Sequence, residues 1–490
     1  MLWAALDGLT VQWGPATKGR KTVEKLTRRQ MLKLAGAAAA SVGIGALAGC
    51  AGGQVPAPTQ APAKSEGAEP TKAPEAAATT APSTSGSTIN LDFVVWNYSV
   101  ETILDNVKKF EAIYDNKIKV KVSDFSWNAY HETMVNRFNS KTPTDVMYNG
   151  GDWLPEFAKA GWVIPIEGTF PGAEKYKDKI VGYALKDQTY DGKLYGLPYY
   201  SDITTFQYNE KILTEKGGKV PETWEELTEV AKELQGKGIE SPIIFELAQA
   251  LPTTLEDFAA MVFGRGGELL DENFDPIIED PNSAAFKQLQ WMADARKSGI
   301  LTIVPHETDV VKAMNTGKHV FTVLYNYNMA ELNNKATSPL AGQFKIAMMP
   351  GETHETYGFS KFYCVTKMAQ DRGPEVLDAV WKFVEYFGGE YQGTYPIAKR
   401  WAVEKGLGFG QLALYDDPDV QKSFGQFVDP AMLKAQAAKA RARRQGVWYG
   451  IWSEFIRIQL VKAVAGETSV ADAMKAAADK ARQLKKQYGV

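Results

Sequence analysis

Five short segments combine aromatic rings with small planar polar side chains. They are Trp96-Asn97-Tyr98, Asp124-Phe125-Ser126-Trp127-Asn128, Asn149-Gly150-Gly151-Asp152-Trp153, Tyr199-Tyr200-Ser201-Asp202 and Tyr325-Asn326-Tyr327-Asn328. A sugar presents apolar C–H faces and a rim of hydroxyls, so it is held by rings that stack and by Asp, Asn, Gln or Arg that exchange planar hydrogen bonds. Asn97, Tyr98, Trp127, Asn149, Asp152, Trp153, Tyr199, Asp202, Tyr325 and Asn326 are therefore candidate ligand contacts. The competing reading is structural, because buried aromatics also fill cores.

Catalytic chemistry finds less support. His-Glu-Thr occurs at His131, His306 and His354, but four residues on stand Val135, Val310 and Gly358, so no zinc-binding HExxH helix is completed. Gly358-Phe359-Ser360-Lys361-Phe362 lacks the closing glycine of a nucleophile elbow. Asp271, Asn273 and Asp275 begin like a calcium loop, yet Pro276 replaces the required glycine and Asn282 the closing glutamate, which leaves a turn. Cys364, flanked by Phe362, Tyr363 and Val365, reads as a small buried hydrophobe. No catalytic residue, metal or cofactor is expected. Two rivals stay open: a surface-anchored carbohydrate-active enzyme, since any two carboxylates can converge in space, and a binder of a non-sugar solute such as ferric iron. The iron reading would use Tyr199 and Tyr200 as phenolate ligands but lacks neighbouring His and Glu partners.

The elements that position these segments follow from hydrophobic periodicity. Ile89, Leu91, Phe93 and Val95 alternate with polar residues and predict a strand; Ile103, Leu104, Val107, Phe110 and Ile113 share a helical face; Ile118–Val122 predicts a second strand. A helix through Tyr130–Phe138 then leads to a third strand at Asp145–Tyr148. Alternation of this kind indicates βαβ units, and in their parallel sheets ligands sit beyond the carboxyl ends of the strands. Thr223 and Glu226 form the sequence pattern of a capping box, with Glu226 expected to reach back to the Thr223 N–H. A last helix is expected from Ser469.

The amino-terminal region carries an address. Thr27-Arg28-Arg29-Gln30-Met31-Leu32-Lys33 matches a twin-arginine export pattern, an apolar stretch runs from Leu34 to Ala48, and Leu47-Ala48-Gly49-Cys50 resembles a bacterial lipobox, in which the cysteine is acylated. Residues 51–87 are mostly Ala, Pro, Thr, Ser and Gly and cannot bury enough surface to offset ordering entropy, so a disordered tether is expected. The chain has 490 residues and a formal net charge of −3; residues 1–49 hold seven Lys/Arg and two Asp/Glu, so the remainder carries −8. That balance excludes a protein built to grip phosphate backbones, and no nucleic-acid partner is expected. The one basic run, Lys439 to Arg444, reads as a solvated helix face.

Asp191-Gly192-Lys193-Leu194-Tyr195-Gly196-Leu197-Pro198, then Phe206-Gln207-Tyr208-Asn209-Glu210-Lys211, Pro221 to Leu227, Val447-Trp448-Tyr449 and Ala465 to Ala473 stand in an order that resembles the extracellular solute-binding proteins of ABC importers, in their sugar-binding group. The resemblance implies an α/β fold of two lobes, each a mainly parallel sheet flanked by helices, joined by hinge strands, with ligand between them. It also adds Trp448 as a ring that stacks on sugar. On that basis residues 1–50 are a lipoprotein signal and 51–87 the tether, with 88–200 plus 350–390 as lobe 1 and 201–349 plus 391–490 as lobe 2. Crossings are expected near Tyr200–Thr204, Met348–Gly351 and Gly388–Gly393. The implied protein is an exported monomer, held by lipid on Cys50 at the outer face of the cell membrane (its periplasmic side if an outer membrane exists), with a carbohydrate ligand and ABC permease subunits as partners. Where sugar-binding relatives carry charged residues in the first site loop, this chain has Asn97-Tyr98-Ser99.

Replacing Cys50 with Ser should release the protein from membranes on fractionation. Retention at wild-type levels would refute lipid attachment there.

Overall fold

The computed structural model describes residues 88–489; the signal, Cys50 and the tether lie outside the described residues. The strands are β1 (Ile89–Trp96), β2 (Ile118–Phe125), β3 (Val146–Gly150), β4 (Val163–Ile164), β5 (Thr189–Tyr190), β6 (Lys193–Leu194), β7 (Gly196–Asn209), β8 (Ile243–Glu246), β9 (Leu301–Val304), β10 (Phe321–Tyr325), β11 (Phe344–Ala347), β12 (Thr356–Thr366) and β13 (Ala440–Arg441). The main sheet runs β2-β1-β3-β12-β7-β10-β8-β9, with β11 also on β7 and β4 and β13 also on β12. Strands β2, β1 and β3 are mutually parallel, as are β10, β8 and β9. Between these two parallel sets lie the long strands β7 and β12, antiparallel to one another and to β3 and β10. This is the expected α/β architecture of two parallel sets flanked by helices.

Two hydrophobic clusters organise the packing. In the first, Phe93 is fully buried and its ring meets Tyr148, Tyr363, Phe383 and Phe387 at centroid distances of 5.0–6.1 Å. Burying one such ring contributes about 1.5–3 kcal/mol from solvent transfer alone. In the second, Trp224, Phe245, Phe258, Leu289 and Phe321 pack with the closing helices Tyr449–Val464 and Val470–Tyr488. The helix starts are locally encoded. Asn209, Thr223, Ser283 and Ser469 each accept a backbone N–H of the first turn. Glu226 departs from expectation by one residue: its carboxylate accepts the Glu222 N–H at 2.8 Å, rather than that of Thr223.

Two long strands carry the chain between the clusters. Strand β7 carries it from Tyr199 in the first cluster to Phe206 in the second. Strand β12 likewise serves both cores, from Phe359 in the second cluster to Phe362 in the first. Phe387, Tyr395, Ile397 and Trp401, on either side of Gly388–Gly393, all belong to the first cluster. That cluster keeps the chain as far as Leu433 and Ala437, and it also takes in Leu324, Met329 and Phe344 from the other half of the sheet.

Gly351, in the turn leading to β12, has φ +130°, and a Cβ there would lie 2.2 Å from the Gly264 carbonyl oxygen. Gly342 has φ +86° with open space around it. Gly351→Ala should therefore cost about 2–5 kcal/mol, from strain plus a backbone clash. Gly342→Ala should cost about 1–2 kcal/mol, from strain alone. Urea melts of the two variants measure the difference; equal losses would refute the close-approach argument.

Candidate ligand cleft between the lobes

The carboxyl ends of β1, β2 and β3 supply one wall. Trp96 closes β1 and is nearly buried; its ring meets Trp127 edge-on at 5.1 Å. Trp127 in turn lies 5.2 Å from Trp153, and Trp153 stacks on Tyr130 at 5.9 Å. Trp127 is 43% exposed and Trp153 partly so, which leaves apolar ring surface open on an otherwise packed wall. The Gly150-Gly151 turn lets Asp187 come close behind it: a Cβ on Gly151 would sit 2.4 Å from Asp187 Oδ1.

At this wall stands Lys361, from β12. Its Nζ donates to Asp152 Oδ1 at 2.8 Å and lies 5.2 Å from the Trp127 and Trp153 ring centroids and 5.7 Å from that of Phe359. Burial pushes the Asp152 carboxyl up, but the Lys361 ammonium outweighs it and holds the group below its ordinary value. The ladder between β7 and β12 shifts register here, pairing Lys361 with Tyr200 but Phe362 with Pro198. Such bulges re-aim side chains beside functional sites.

A polar network lies beneath. Asp187 Oδ2 accepts the Ser360 N–H at 2.8 Å, Gln188 Nε2 donates to Ser360 Oγ at 2.9 Å, and Ser201 and Ser360 share a hydroxyl hydrogen bond of 2.8 Å. Burial pushes Asp187 up to about 7 even with that amide donor.

The second wall comes from β7, β8, β10 and two helix starts. Tyr325 OH donates to Glu256, on the first turn of the helix Thr253–Gly264. Tyr327 OH donates to Glu307, which opens the helix Glu307–Met314. The Tyr325 and Tyr327 rings lie 5.6 Å apart, and Phe359 meets Tyr325 at 5.0 Å and Tyr200 at 5.2 Å. Asp202 accepts the N–H groups of Ile203 and Tyr327, and burial pushes it up to about 7. Arg443 reaches in from the far end of the chain, with Nη2 3.1 Å from both Glu256 Oε1 and Tyr357 OH.

Trp127, Asp152 and Trp153 are thus gathered around Lys361, and Asp202, Tyr325 and Asn326 lie together across the hinge strands. Asn97 and Tyr98 are exposed beyond β1, with Tyr98 6.3 Å from Trp401. Tyr199 is buried, stacked on Tyr148 at 4.2 Å. Asn149 is also buried; its Oδ1 accepts the Gly150 N–H and its Nδ2 has no partner. Trp448 is fully buried in the second cluster against Trp452, its indole N–H without a partner.

Sequence reasoning missed Lys361, Phe359, Arg443, Glu256 and Glu307. A signal existed for Lys361, a lone cation in the apolar strand Phe359–Val365, which a buried strand tolerates only when paired. Arg443 was obscured by the basic run, and the structure corrects that reading. Ala440 and Arg441 pair beside Thr356 and Tyr357 as strand, Arg441 meets Glu268 and Glu355, and Arg443 is buried. Carboxylates distant in sequence draw the run inward. The residues of the calcium-like pattern form a turn in which Asp271 Oδ1 accepts the N–H groups of Asn273 and Asp275. Among the described residues no group of three or more His, Cys, Asp or Glu is arranged to hold a metal ion. A groove of about 450 Å³ on the outer surface is lined by Lys399, Arg400, Glu404 and Asp419, which pair with one another.

Because Asp187 keeps its proton when folded at pH values where the unfolded carboxyl has lost it, the folded state binds more protons between about pH 4 and 7. Stability therefore falls as pH rises through that window, and Asp202 and Glu246, also pushed up to about 7 by burial, act in the same direction. The melting temperature should be higher at pH 5 than at pH 8, with Asp187→Asn flattening part of the slope. An unchanged slope in that variant would remove Asp187 from the account.

Comparisons with known proteins agree with this architecture. The family model described as "bacterial extracellular solute-binding protein" matches residues 106–400. The galactooligosaccharide-binding protein of Bacillus subtilis is 22% identical over 354 residues, covering 71% of this chain and 77% of that protein. The sugar-binding protein MalE from Xanthomonas citri superposes with a TM-score of 0.69 at 19% identity, over 81% of this chain and 98% of that one. Maltose-bound MalE3 of T. maritima gives 0.65 at 21% identity, over 81% and 100%. With its α/β fold and a family match over most of the folded region, the chain belongs to the bacterial extracellular solute-binding proteins.

Proposed function

We propose that this protein captures a carbohydrate between its lobes and delivers it to the permease of an ABC importer, while lipid on Cys50 holds it at the outer face of the cell membrane. One observation carries the reading. Open tryptophan faces beside the Asp152–Lys361 pair lie on one side of the hinge strands, and tyrosine–carboxylate pairs lie on the other. The first set suits the C–H face of a pyranose, and the second its hydroxyl rim. A solute that touches both stabilises the closed arrangement only by the difference in its affinity for closed and open forms. Relatives named for galactooligosaccharide and maltose binding support the sugar class. Ferric iron is less favoured, since Tyr199 is packed against Tyr148 in the core.

The test is a thermal-shift screen of mono- and oligosaccharides, in which a true ligand at ~100 times its Kd adds about 2.7 kcal/mol of stability. With the best ligand, Trp153→Ala should weaken binding by about 1–3 kcal/mol, a loss of roughly ten- to hundredfold. Trp448→Ala should instead cost ~3–5 kcal/mol of folding stability, as for a core tryptophan. Unchanged affinity in Trp153→Ala would sink the stacking wall.

A further inference from the structure

The floor of the cleft is a row of side chains on one face of β12. Tyr357, Phe359 and Lys361 are alternate residues of the strand and so share that face. Arg443 lies over the Tyr357 ring at 4.5 Å, Tyr357 stacks on Phe359 at 6.2 Å, and Lys361 Nζ stands 5.7 Å from the Phe359 ring. A cation thus closes each end of the row, and each is bonded to a carboxylate of a different wall, Lys361 to Asp152 and Arg443 to Glu256. Gly150 leaves room for the first pair: a Cβ there would lie 2.5 Å from Asp152 Oδ1 and 2.6 Å from Lys361 Nζ.

At the Lys361 end the pairing is incomplete. An ammonium carries three N–H donors, and Nζ has one hydrogen-bond acceptor among the described residues, Asp152 Oδ1. Its other neighbours are the Trp127, Trp153 and Phe359 rings, which attract the charge but offer no oxygen. The Lys361 side chain is only 12% exposed, so little water reaches the spare donors, while Asp152 is 32% exposed and engages Lys361 through Oδ1 alone. Donor and acceptor capacity therefore stand side by side at the foot of the tryptophan wall. We propose that Lys361 is a specificity-determining residue: with a saccharide ring stacked on Trp153 or Trp127, Nζ donates to one ligand oxygen while Asp152 accepts from the neighbouring hydroxyl. The ligand class is then a saccharide whose stacked ring carries an acceptor oxygen next to a free hydroxyl. This rests on the carbohydrate reading of the same cleft.

The experiment is calorimetric titration of the best-binding saccharide from the thermal screen beside its monodeoxy and deoxyfluoro analogues, on wild type, Lys361→Met and Lys361→Arg. At one position the deoxy analogue should bind wild type about ten- to hundredfold more weakly, the range for a hydrogen bond to a charged group. Fluorine accepts but cannot donate, so the deoxyfluoro analogue should recover part of that loss there and none of it at the neighbouring position read by Asp152. In Lys361→Met the loss at the first position should all but vanish, and Lys361→Arg should restore part of it. A lysine that only balances the Asp152 charge would instead give Lys361→Met one common factor of weakening for every analogue; that result overturns the proposal and leaves the carbohydrate reading standing. If Lys361→Met does not fold, the double variant Lys361→Met/Asp152→Asn, which leaves neither charge unpaired, replaces it. A wild type that responds equally to every deoxy analogue overturns the proposal without any variant. If no saccharide binds wild type, both readings fall.

Discussion

The structure depends on two strands that belong to both halves of the molecule. β7 and β12 run side by side through the centre of the sheet, and their ends are buried in different hydrophobic clusters. Each must satisfy its backbone hydrogen bonds along its whole length, because an unpaired buried N–H or C=O costs about as much as a lost hydrogen bond. The ladder is broken once, beside Tyr199, Tyr200 and Lys361. That position lies under the cleft, and the irregularity accompanies a lysine pointing among tryptophans. The same pair of strands therefore joins the lobes and places the cleft's central cation.

The other site features follow from where strands end. Parallel strands leave their carboxyl ends open to a crevice, and the loops after β1, β2 and β3 fill it with rings while the loops after β8, β9 and β10 fill it with carboxyl and hydroxyl groups. Burial then divides the carboxyl groups into two kinds. Asp152 is bonded directly to the Lys361 ammonium and stays below its ordinary pKa, whereas Asp187, Asp202 and Glu246 have no bonded cation and are raised to about 7. The difference lies in the partner, since burial by itself raises every one of them.

Much of the first half was legible in the sequence, because alternation at Ile89–Val95 and the helical face from Ile103 to Ile113 are local signals. The chain's passages between cores were less legible. Phe359 and Phe362 look alike in sequence, yet they sit in different clusters, and only tertiary contact separates them. The helices from Pro396 to Ala438 carry no mark of the core they will join. Candidate rings were recognisable as a class, but composition does not say which faces stay open: Trp127 is exposed, while Tyr199 and Trp448 are packed. Lys361 and Asp152 are separated by 209 residues, so their pairing could not be read from either segment.

The central claim is that open tryptophan faces and tyrosine-held carboxylates form the two sides of one sugar site. A crystal structure with the tightest-binding saccharide tests it most directly. The account predicts a pyranose ring stacked on Trp153 or Trp127, with hydroxyl contacts to Asp152 and to the Tyr327–Glu307 pair across the hinge strands. A saccharide bound outside this cleft, or touching only one wall, would contradict it.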